Sequence, residues 1–350
     1  MRTVTMANGG WHWLRLGVLL PVLAAGACAG PDEAGDAEAG TEAAEELRDT
    51  VEAYVRPTAE GGDLVQGDTI PGHESWTEQD WEVLTSVAGW AWENGVDRLP
   101  VGQRIARIGE AFVGTDYIPQ TLDPPGPERL VVNLRALDCV TFVEAVMVLS
   151  HFVRVADADI LQRRDEAIDL YSSILTDIRY RNGEMGRYSS RLHYFSEWVH
   201  DNEQKGYVRD VSRELGGVVD DEPIDFMTEH RDAYRQLIDD EEFEAIARIE
   251  ERLSGEPRAY IPQDRVEAAH QGIQDGDVIA MTSTLDGLDV AHTGIAVWKD
   301  GAPRLLNAPL VGEEVHVSEA SLADRLAGIS AQDGMIVARP QETDGVRGRF

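Results

Sequence analysis

The sequence has few basic residues, few cysteines and no clear metal or nucleotide motif. Lysine and arginine together number 31 against 64 acidic residues, which gives a formal net charge of -33. This excess of negative charge argues against a surface that binds nucleic acid or an anionic membrane. Two cysteines are too few for a disulfide framework, and no Cys/His pair has zinc-ligand spacing. No phosphate-binding loop is present either, so the sequence predicts neither a metal site nor a cofactor.

An apolar run near the N-terminus, residues 16–23, is too short to predict a membrane span. Positive residues precede it and small residues follow it, which is typical of a secretory signal over residues 1–27. The run ends in Ala-Ala-Gly-Ala before Cys28, a segment similar to a lipobox, in which Cys28 becomes the lipidated first residue. Ordinary signal cleavage after Ala27 is the alternative. The sequence therefore predicts an exported lipoprotein, anchored in a membrane through Cys28 and facing the periplasm or cell envelope.

Residues 28–74 are predicted to form an acidic tether and a flexible lead-in. Up to about residue 50 this segment is mostly Ala, Gly, Asp and Glu, a composition that cannot bury a core. The folded domain is predicted over residues 75–342, because Ser75 and Glu78 have the spacing of a helix capping box. Residues 343–350 are left as a tail.

Apolar periodicity predicts a helical first part and a final sheet. Helices are expected after Ser75, from Pro100, after Cys139, over residues 160–178 and over residues 228–253. Short strands are expected at residues 278–282, 292–298, 304–308 and 334–338, with a hairpin turn at Asp300-Gly301. A cysteine-bearing helix followed by an antiparallel sheet is an α+β arrangement.

Cys139 is predicted to lie at or near the first turn of a mostly buried helix. There it would face unpaired backbone N–H groups and the positive end of the helix dipole. Both favour the thiolate form that a nucleophilic cysteine needs. The alternative is a cysteine that only packs in the core, since free Cys is among the most buried residue types. The residues downstream of Cys139 decide between the two interpretations.

The sequence supplies a base and an orienting residue downstream of Cys139. His292 opens one predicted strand, and Asn307 lies on the strand expected to pair with it, so the two side chains can meet on one face. We expect the side-chain oxygen of Asn307 to accept a hydrogen bond from Nδ1–H of His292, which leaves the other ring nitrogen to face Cys139. His316 is the rival base. The three residues form a Cys-His-Asn arrangement of nucleophile, base and orienting group.

Five segments together resemble the NlpC-type, papain-like cell-wall hydrolases, and within them the N-acetylmuramoyl-L-alanine amidase-like branch. They are DCVTFVE at 138–144, RLHYFSEW at 191–198, GDVIA at 276–280, GLDVAHTGIAVW at 287–298 and GMIVARP at 334–340. The similarity extends over roughly residues 78–340. It implies a papain-like α+β fold, in which the catalytic cysteine begins a helix packed on an antiparallel sheet, with extra helices.

The resemblance also implies a reaction. It is the hydrolysis of the N-acetylmuramoyl–L-alanine bond of peptidoglycan or muropeptides through a thioester on a catalytic cysteine. Cys139 matches the nucleophile and His292 the general base, whereas Asn307 stands where the family usually has His. Stretches that wall the substrate cleft in the family are matched by Tyr117, Thr121, Arg191, His193 and Tyr194. Asp138 and Asp289, which flank the catalytic residues, are further substrate-contact candidates, with capping or turn stabilisation as the alternative.

Two other functions stay open at this point. An endopeptidase that cuts between D-Glu and the diamino acid of the stem peptide would keep the same chemistry and change the bond. A catalytically inactive lipoprotein that binds glycan would fit the replacement of the usual His by Asn307 and the acidic tether.

Overall fold

The computed structural model describes residues 69–309 and 314–342. The predicted signal at residues 1–27, the lipidation candidate Cys28, most of the lead-in and the tail at residues 343–350 lie outside the described residues. Within the described ranges, no helix combines the length and the apolar character needed to cross a membrane.

Helices dominate the first two thirds of the described chain. The α-helices are α1 Glu78–Glu93, α2 Val101–Glu110, α3 Cys139–Val155, α4 Arg164–Arg179, α5 Phe195–Lys205, α6 Phe226–Glu229, α7 Asp240–Ser254, α8 Val266–Ala269 and α9 Leu322–Ala327. Short 3-10 helices lie at Val96–Arg98, Ala158–Gln162, Arg181–Gly183, Tyr188–Ser190, Arg231–Ala233, Arg235–Ile238, Gln263–Arg265 and His270–Gly272.

One antiparallel sheet gathers most of the later strands, and the fold is α+β as the sequence predicts. The strands are β1 Thr69–Ile70, β2 His73–Thr77, β3 Asp116–Tyr117, β4 Ala136–Leu137, β5 Val208–Asp210, β6 Val218–Asp220, β7 Arg258–Pro262, β8 Val278–Thr282, β9 Val290–Lys299, β10 Ala302–Asn307, β11 His316–Val317 and β12 Gly334–Pro340. The sheet order is β11-β10-β9-β8-β12-β7-β6, and β5 also pairs with β12. The predicted strand at residues 278–282 agrees with the structure residue for residue.

The two faces of this sheet bury separate apolar clusters, because neighbouring residues of a strand point to opposite faces. On β9 and β10, Ile295 and Leu306 pack in the cluster that contains helix α3. Ala296 and Leu305 belong to the opposite cluster, which is covered by α8 and α9. The α3 helix is therefore buried between the sheet and the other helices, as its almost continuous apolar sequence requires.

The folded body begins earlier than the sequence suggests, and its first helix has a different cap. Strands β1 and β2 form a hairpin, so Ser75 lies in a strand. Thr77 is the residue that caps α1, in a reciprocal capping box with Asp80. The other oxygen of Asp80 accepts hydrogen bonds from the Leu134 N–H at 2.9 Å and from Nε of Arg135 at 3.0 Å. This buried carboxylate therefore joins the start of α1 to the segment that leads into Cys139.

The helix predicted over residues 228–253 is only partly formed. The segment begins with the end of α6 and two 3-10 helices, and α7 follows after its cap at Asp239. The Asp239 side chain accepts a hydrogen bond from the Glu241 N–H at 2.8 Å, which starts a new helix at that point. A capping residue inside an apolar periodic stretch therefore divides what the periodicity alone predicts as one helix.

An ion pair inside the core ties α3 to α4. Nε of Arg179 donates to Oε2 of Glu144 at 2.7 Å, and Nη1 donates to the Val131 carbonyl at 2.6 Å. The two side chains are only 5% and 2% exposed. Because water cannot reach either charge, each depends on the other for its solvation.

We expect Arg179→Met to destabilise the protein by about 3–5 kcal/mol, because it leaves the Glu144 charge buried without a partner. Urea unfolding followed by circular dichroism measures the change. Arg163→Met is the matched control, since its Nε also lies 2.7 Å from a Glu carboxylate, that of Glu166, but on the surface. We expect its transition to overlap that of the wild type. Equal transitions for the two variants would contradict the importance of the buried pair.

Candidate active site

Cys139 is the first residue of α3, and a capping box fixes it there. The Asp138 side chain accepts hydrogen bonds at 2.8 Å from both the N–H and the hydroxyl of Thr141. In return, the Thr141 hydroxyl oxygen accepts from the Asp138 N–H at 2.9 Å. The predicted helix start is therefore confirmed. The carboxylate of Asp138, a predicted substrate contact, is occupied by the cap.

Main-chain N–H groups surround the Cys139 sulfur. Those of Cys139 itself, Val140 and Thr293 are within hydrogen-bonding reach of it. Thr293 directly follows His292 on β9, so this contact brings the histidine-bearing strand to the start of α3. The structure thus brings together the two segments that carry the predicted catalytic residues, although the sequence separates these residues by more than 150 positions.

Asn307 holds the ring of His292. Its side-chain oxygen lies 2.7 Å from Nε2 of His292, and its amide group donates to the main-chain carbonyl of His316 at 3.2 Å. Because the amide nitrogen is engaged by a carbonyl, the oxygen is the atom that accepts from the imidazole. The expected pairing is confirmed, but the predicted nitrogen was wrong: Nε2 carries the proton, so Nδ1 is the basic atom.

Gly294 makes this contact possible. The β9–β10 register pairs Leu306 with Ile295, so Asn307 follows opposite Gly294. A Cβ at position 294 would lie 2.7 Å from the Leu306 carbonyl oxygen and 2.9 Å from Cβ of Asn307. The absence of a side chain therefore lets Asn307 reach diagonally across the strand pair to His292.

Burial sets the protonation states of the site. It raises the pKa of the Cys139 thiol to about 12, and the nearby Asp138 carboxylate acts in the same direction. The N–H groups around the sulfur oppose this effect without overcoming it. Burial likewise lowers the pKa of His292 to about 4, with a further lowering by the Arg325 guanidinium. The raised pKa of Cys139 runs against the thiolate expected from the helix dipole and favours the thiol in the resting state, while the lowered pKa of His292 favours a neutral imidazole.

His316, the rival base, lies next to this pair but outside it. It pairs with Asn307 between β11 and β10, and its Nδ1 is 3.2 Å from the Glu314 carbonyl oxygen. His316 contributes to the site through its main-chain carbonyl, which orients the Asn307 amide.

Two predicted substrate contacts lie in the loop before α3. Strand β3 pairs with β4, which sets Tyr117 opposite Leu137. Burial raises the pKa of Tyr117, and the neighbouring Cys139 and Asp138 act in the same direction. Thr121 is buried, and its hydroxyl has no hydrogen-bond partner among the described residues.

Arg191 holds that loop in place, whereas His193 bonds to a residue near its own position in the chain. Arg191 donates at 2.5 Å to the Leu122 carbonyl and to the Asp123 carboxylate, and its guanidinium stacks on Tyr188. A ring nitrogen of His193 lies 2.9 Å from the Tyr188 carbonyl oxygen. These two predicted contacts therefore have protein partners, and those of Arg191 anchor the loop before α3.

Tyr194 and Asp289 also have protein partners. The Tyr194 hydroxyl donates to Glu250 at 2.6 Å inside a buried cluster. Asp289 accepts from the Ser196 N–H at 2.7 Å and so stabilises the N-terminus of α5, directly before β9. The structure thus gathers Tyr117, Cys139, His292 and Asn307 at one site and places Arg191, His193, Tyr194 and Asp289 in the framework around it.

Sequence reasoning missed Thr293, Gly294 and Arg325 at this site. A glycine inside a strand is a recognised sign of close backbone approach, so Gly294 could have been found. The Thr293 N–H is invisible in a sequence, and Arg325 comes from a helix far along the chain. No group of three or more possible metal ligands occurs in the part of the chain that the structure describes.

The family model for AmiA-like, N-acetylmuramoyl-L-alanine amidase-like proteins matches residues 107–332, which include all the residues gathered at the site. The chain belongs to this family. No curated protein matches the chain. Among solved structures, an N-acetylmuramoyl-L-alanine amidase from Bacteroides uniformis ATCC 8492 is 31% identical, with a TM-score of 0.64, and the match covers 69% of this chain and 99% of that one.

Two further structures extend the comparison of this AmiA-like chain. A protein of Bacteroides fragilis, provisionally described as a xylanase, is 32% identical with a TM-score of 0.60, and the match covers 66% of this chain and 98% of that one. A protein of Legionella pneumophila str. Philadelphia 1 is 20% identical with a TM-score of 0.54, covering 75% of this chain and 95% of that one. The latter shares the fold.

We expect Cys139 to react slowly with iodoacetamide at neutral pH, because its raised pKa keeps the thiol protonated. The rate should rise about tenfold per pH unit up to the pKa, since the thiolate is the reacting form. Mass spectrometry of a Cys28→Ser protein, in which Cys139 is the single thiol, gives the rate at each pH. A fast reaction with a plateau between pH 5 and 8 would instead show a preformed thiolate–imidazolium pair.

We expect Gly294→Ala to destabilise the protein by about 1–3 kcal/mol, because the new methyl group must push β10 away from β9. Thermal unfolding measures this change. Gly89→Ala in α1 is the control, since a Cβ there meets no atom within 4 Å. That variant should gain about 0.5–1 kcal/mol from the higher helix propensity of alanine. A neutral Gly294→Ala variant would contradict the tight approach of Asn307.

Proposed function

We propose that this AmiA-like protein is a cysteine amidase that hydrolyses the bond between N-acetylmuramic acid and L-alanine in peptidoglycan or its fragments. The observation that carries the proposal is the site itself: a thiol at the start of a buried helix, beside a strand whose imidazole is oriented by an amide. This is the nucleophile, base and orienting group of papain-like hydrolases. Family membership and the amidase from Bacteroides uniformis support the choice of bond.

The protonation states support proton transfer during the attack rather than before it. The substrate is an amide whose lactyl carbonyl carbon accepts the Cys139 sulfur, while Nδ1 of His292 takes the thiol proton. Burial disfavours both charged forms in the free protein. Developing negative charge on the substrate oxygen then offsets the imidazolium charge, because the two form together in a site of low polarity.

The collapse of the tetrahedral intermediate completes the first half of the reaction. The C–N bond breaks, the imidazolium of His292 gives its proton to the amine of L-alanine, and the lactyl group remains on sulfur as a thioester. Water, deprotonated by the same imidazole, then attacks the thioester carbonyl, the C–S bond breaks to release N-acetylmuramic acid with a free lactyl carboxyl group, and the imidazolium returns its proton to the Cys139 sulfur. Main-chain N–H groups at the start of α3 are our candidates for the donors that stabilise the oxyanion.

The orientation of His292 follows from its hydrogen bond. With Nε2–H held by Asn307, the lone pair on Nδ1 is free to act as the base. A neutral amide fixes the tautomer without adding a charge. Asn307 therefore supports an active enzyme, although the family usually has His at this position.

Incubation of purified muropeptides with the wild type and with Cys139→Ala, followed by mass spectrometry, tests the proposal. We expect the wild type to release free stem peptide beginning with L-alanine and the variant to release none, because thioester formation requires the sulfur. Cleavage after D-Glu would change the function to an endopeptidase and keep the catalytic residues. If no fragment is cut, the inactive glycan-binding lipoprotein is favoured, and Asn307→His becomes the variant to examine.

We also propose that the protein is exported and held on a membrane of the cell envelope by a lipid on Cys28. The support is the N-terminal sequence alone, with its apolar run and lipobox-like end. Expression with an alkyne-labelled fatty acid tests this proposal: the wild type should become labelled and Cys28→Ser should not. An unlabelled wild type would favour ordinary signal cleavage after Ala27.

A further inference from the structure

A cation without a partner lies beside the catalytic imidazole. Arg325, on α9, is partly buried, and its Nε is fully enclosed without a hydrogen-bond partner. Among the residues that the structure describes, its guanidinium makes neither a hydrogen bond nor an ion pair. Burial lowers the pKa of Arg325, and no carboxylate opposes that effect. In a chain with 64 acidic residues, such isolation requires an explanation.

Other enclosed arginines show how this protein normally treats a buried cation. Arg179, Arg191 and Arg339 each pair with at least one carboxylate at 2.5–2.8 Å. A partly enclosed charge without a partner loses part of its hydration and gains nothing in return. The unpaired state of Arg325 therefore fits a binding group whose partner arrives with the substrate.

The position of α9 brings Arg325 to the sheet face that carries the side chains of His292 and Asn307. Leu322 and Leu326 of this helix pack in one cluster with Ala296 and Leu305. His292 shares a sheet face with Ala296, and Asn307 shares it with Leu305, because side chains alternate along each strand. Arg325 is three positions from Leu322 on the helix, so it lies on the adjoining surface.

We propose that Arg325 is a specificity-determining residue that binds the free α-carboxylate of the second stem-peptide residue, D-Glu, while the scissile amide lies at Cys139. This inference rests on the proposed amidase function. The carboxyl group of L-alanine is consumed in its peptide bond, and the scissile carbonyl belongs to the lactyl group. The α-carboxylate of D-Glu is therefore the first free anion on the leaving side of the bond.

Arginine is suited to this task because its planar guanidinium can donate two parallel hydrogen bonds to one carboxylate. The surrounding protein strengthens the selection. A net charge of -33 disfavours the approach of an anionic peptide in general, so an unpaired cation beside the imidazole favours one orientation of the substrate.

Two synthetic N-acetylmuramoyl tripeptides test the inference, one with D-Glu and one with D-isoglutamine, in which a carboxamide replaces the α-carboxylate. The assay is run at pH 8, where His292 is neutral with or without Arg325. We expect the wild type to favour the carboxylate substrate by roughly tenfold to a hundredfold in kcat/KM, as for loss of a charge-assisted hydrogen bond. Arg325→Gln should abolish the preference, and Arg325→Lys should retain part of it.

Arg213→Gln is the control, because Arg213 is exposed, is more than 100 positions from α9 in the sequence, and makes no side-chain hydrogen bond or ion pair among the described residues. It should keep the wild-type preference. An equal loss on both substrates in Arg325→Gln and in Arg325→Lys would overturn the inference, because it would indicate a structural role. So would a wild type without any preference.

Calorimetric binding of both tripeptides to Cys139→Ala separates this inference from the proposed function. One possible result is that the wild type cuts neither tripeptide, while Cys139→Ala binds the carboxylate form more tightly than the carboxamide form. If adding Arg325→Gln then removes that difference in affinity, the amidase function fails and the inference stands. If both are cut equally well, the function stands and the inference fails. If neither tripeptide is cut or bound, both fail.

Discussion

The reciprocal hydrogen bonds between Asp138 and Thr141 determine where α3 begins, and the candidate site depends on that position. They make Cys139 the first helical residue, so that N–H groups of the first turn and of Thr293 converge on its sulfur. If the helix began one residue later or earlier, the thiol would rotate by about 100° around the helix axis, away from β9. A short polar cap therefore sets the geometry between a helix and a sheet that are distant in sequence.

Much of this arrangement could be predicted from local sequence, and the exceptions are physically instructive. Strand β8 and the pairing of His292 with Asn307 follow from alternation and a hairpin turn, both local signals. The cap of α1 was misassigned to Ser75 because β2 extends to Thr77, and that strand is visible only once its partner is known. The division of α7 from the segment before it depends on one hydrogen bond of Asp239.

Electrostatics was the least predictable part. A helix N-terminus acts as a partial positive charge and so lowers the pKa of a thiol. Burial raises that pKa, and its effect grows with every group packed around the sulfur. A sequence reports the helix and not the packing, so the predicted direction of the Cys139 pKa was wrong. The pairing of Asn307 with His292 was predicted correctly, whereas the ring nitrogen that faces Asn307 was not, because it depends on how the imidazole is turned across the strand pair.

The main-chain carbonyl of His316 affects how the site responds to mutation. The Asn307 amide is oriented by a main-chain oxygen, so replacing the His316 side chain leaves the orienting group in place. The tautomer of His292 is thus encoded by the path of the β11 backbone rather than by the chemistry of its residues. Substitutions along β11 that keep its backbone path should therefore leave the proton on Nε2 of His292, and an alanine scan of that strand would overlook the atom that holds it there.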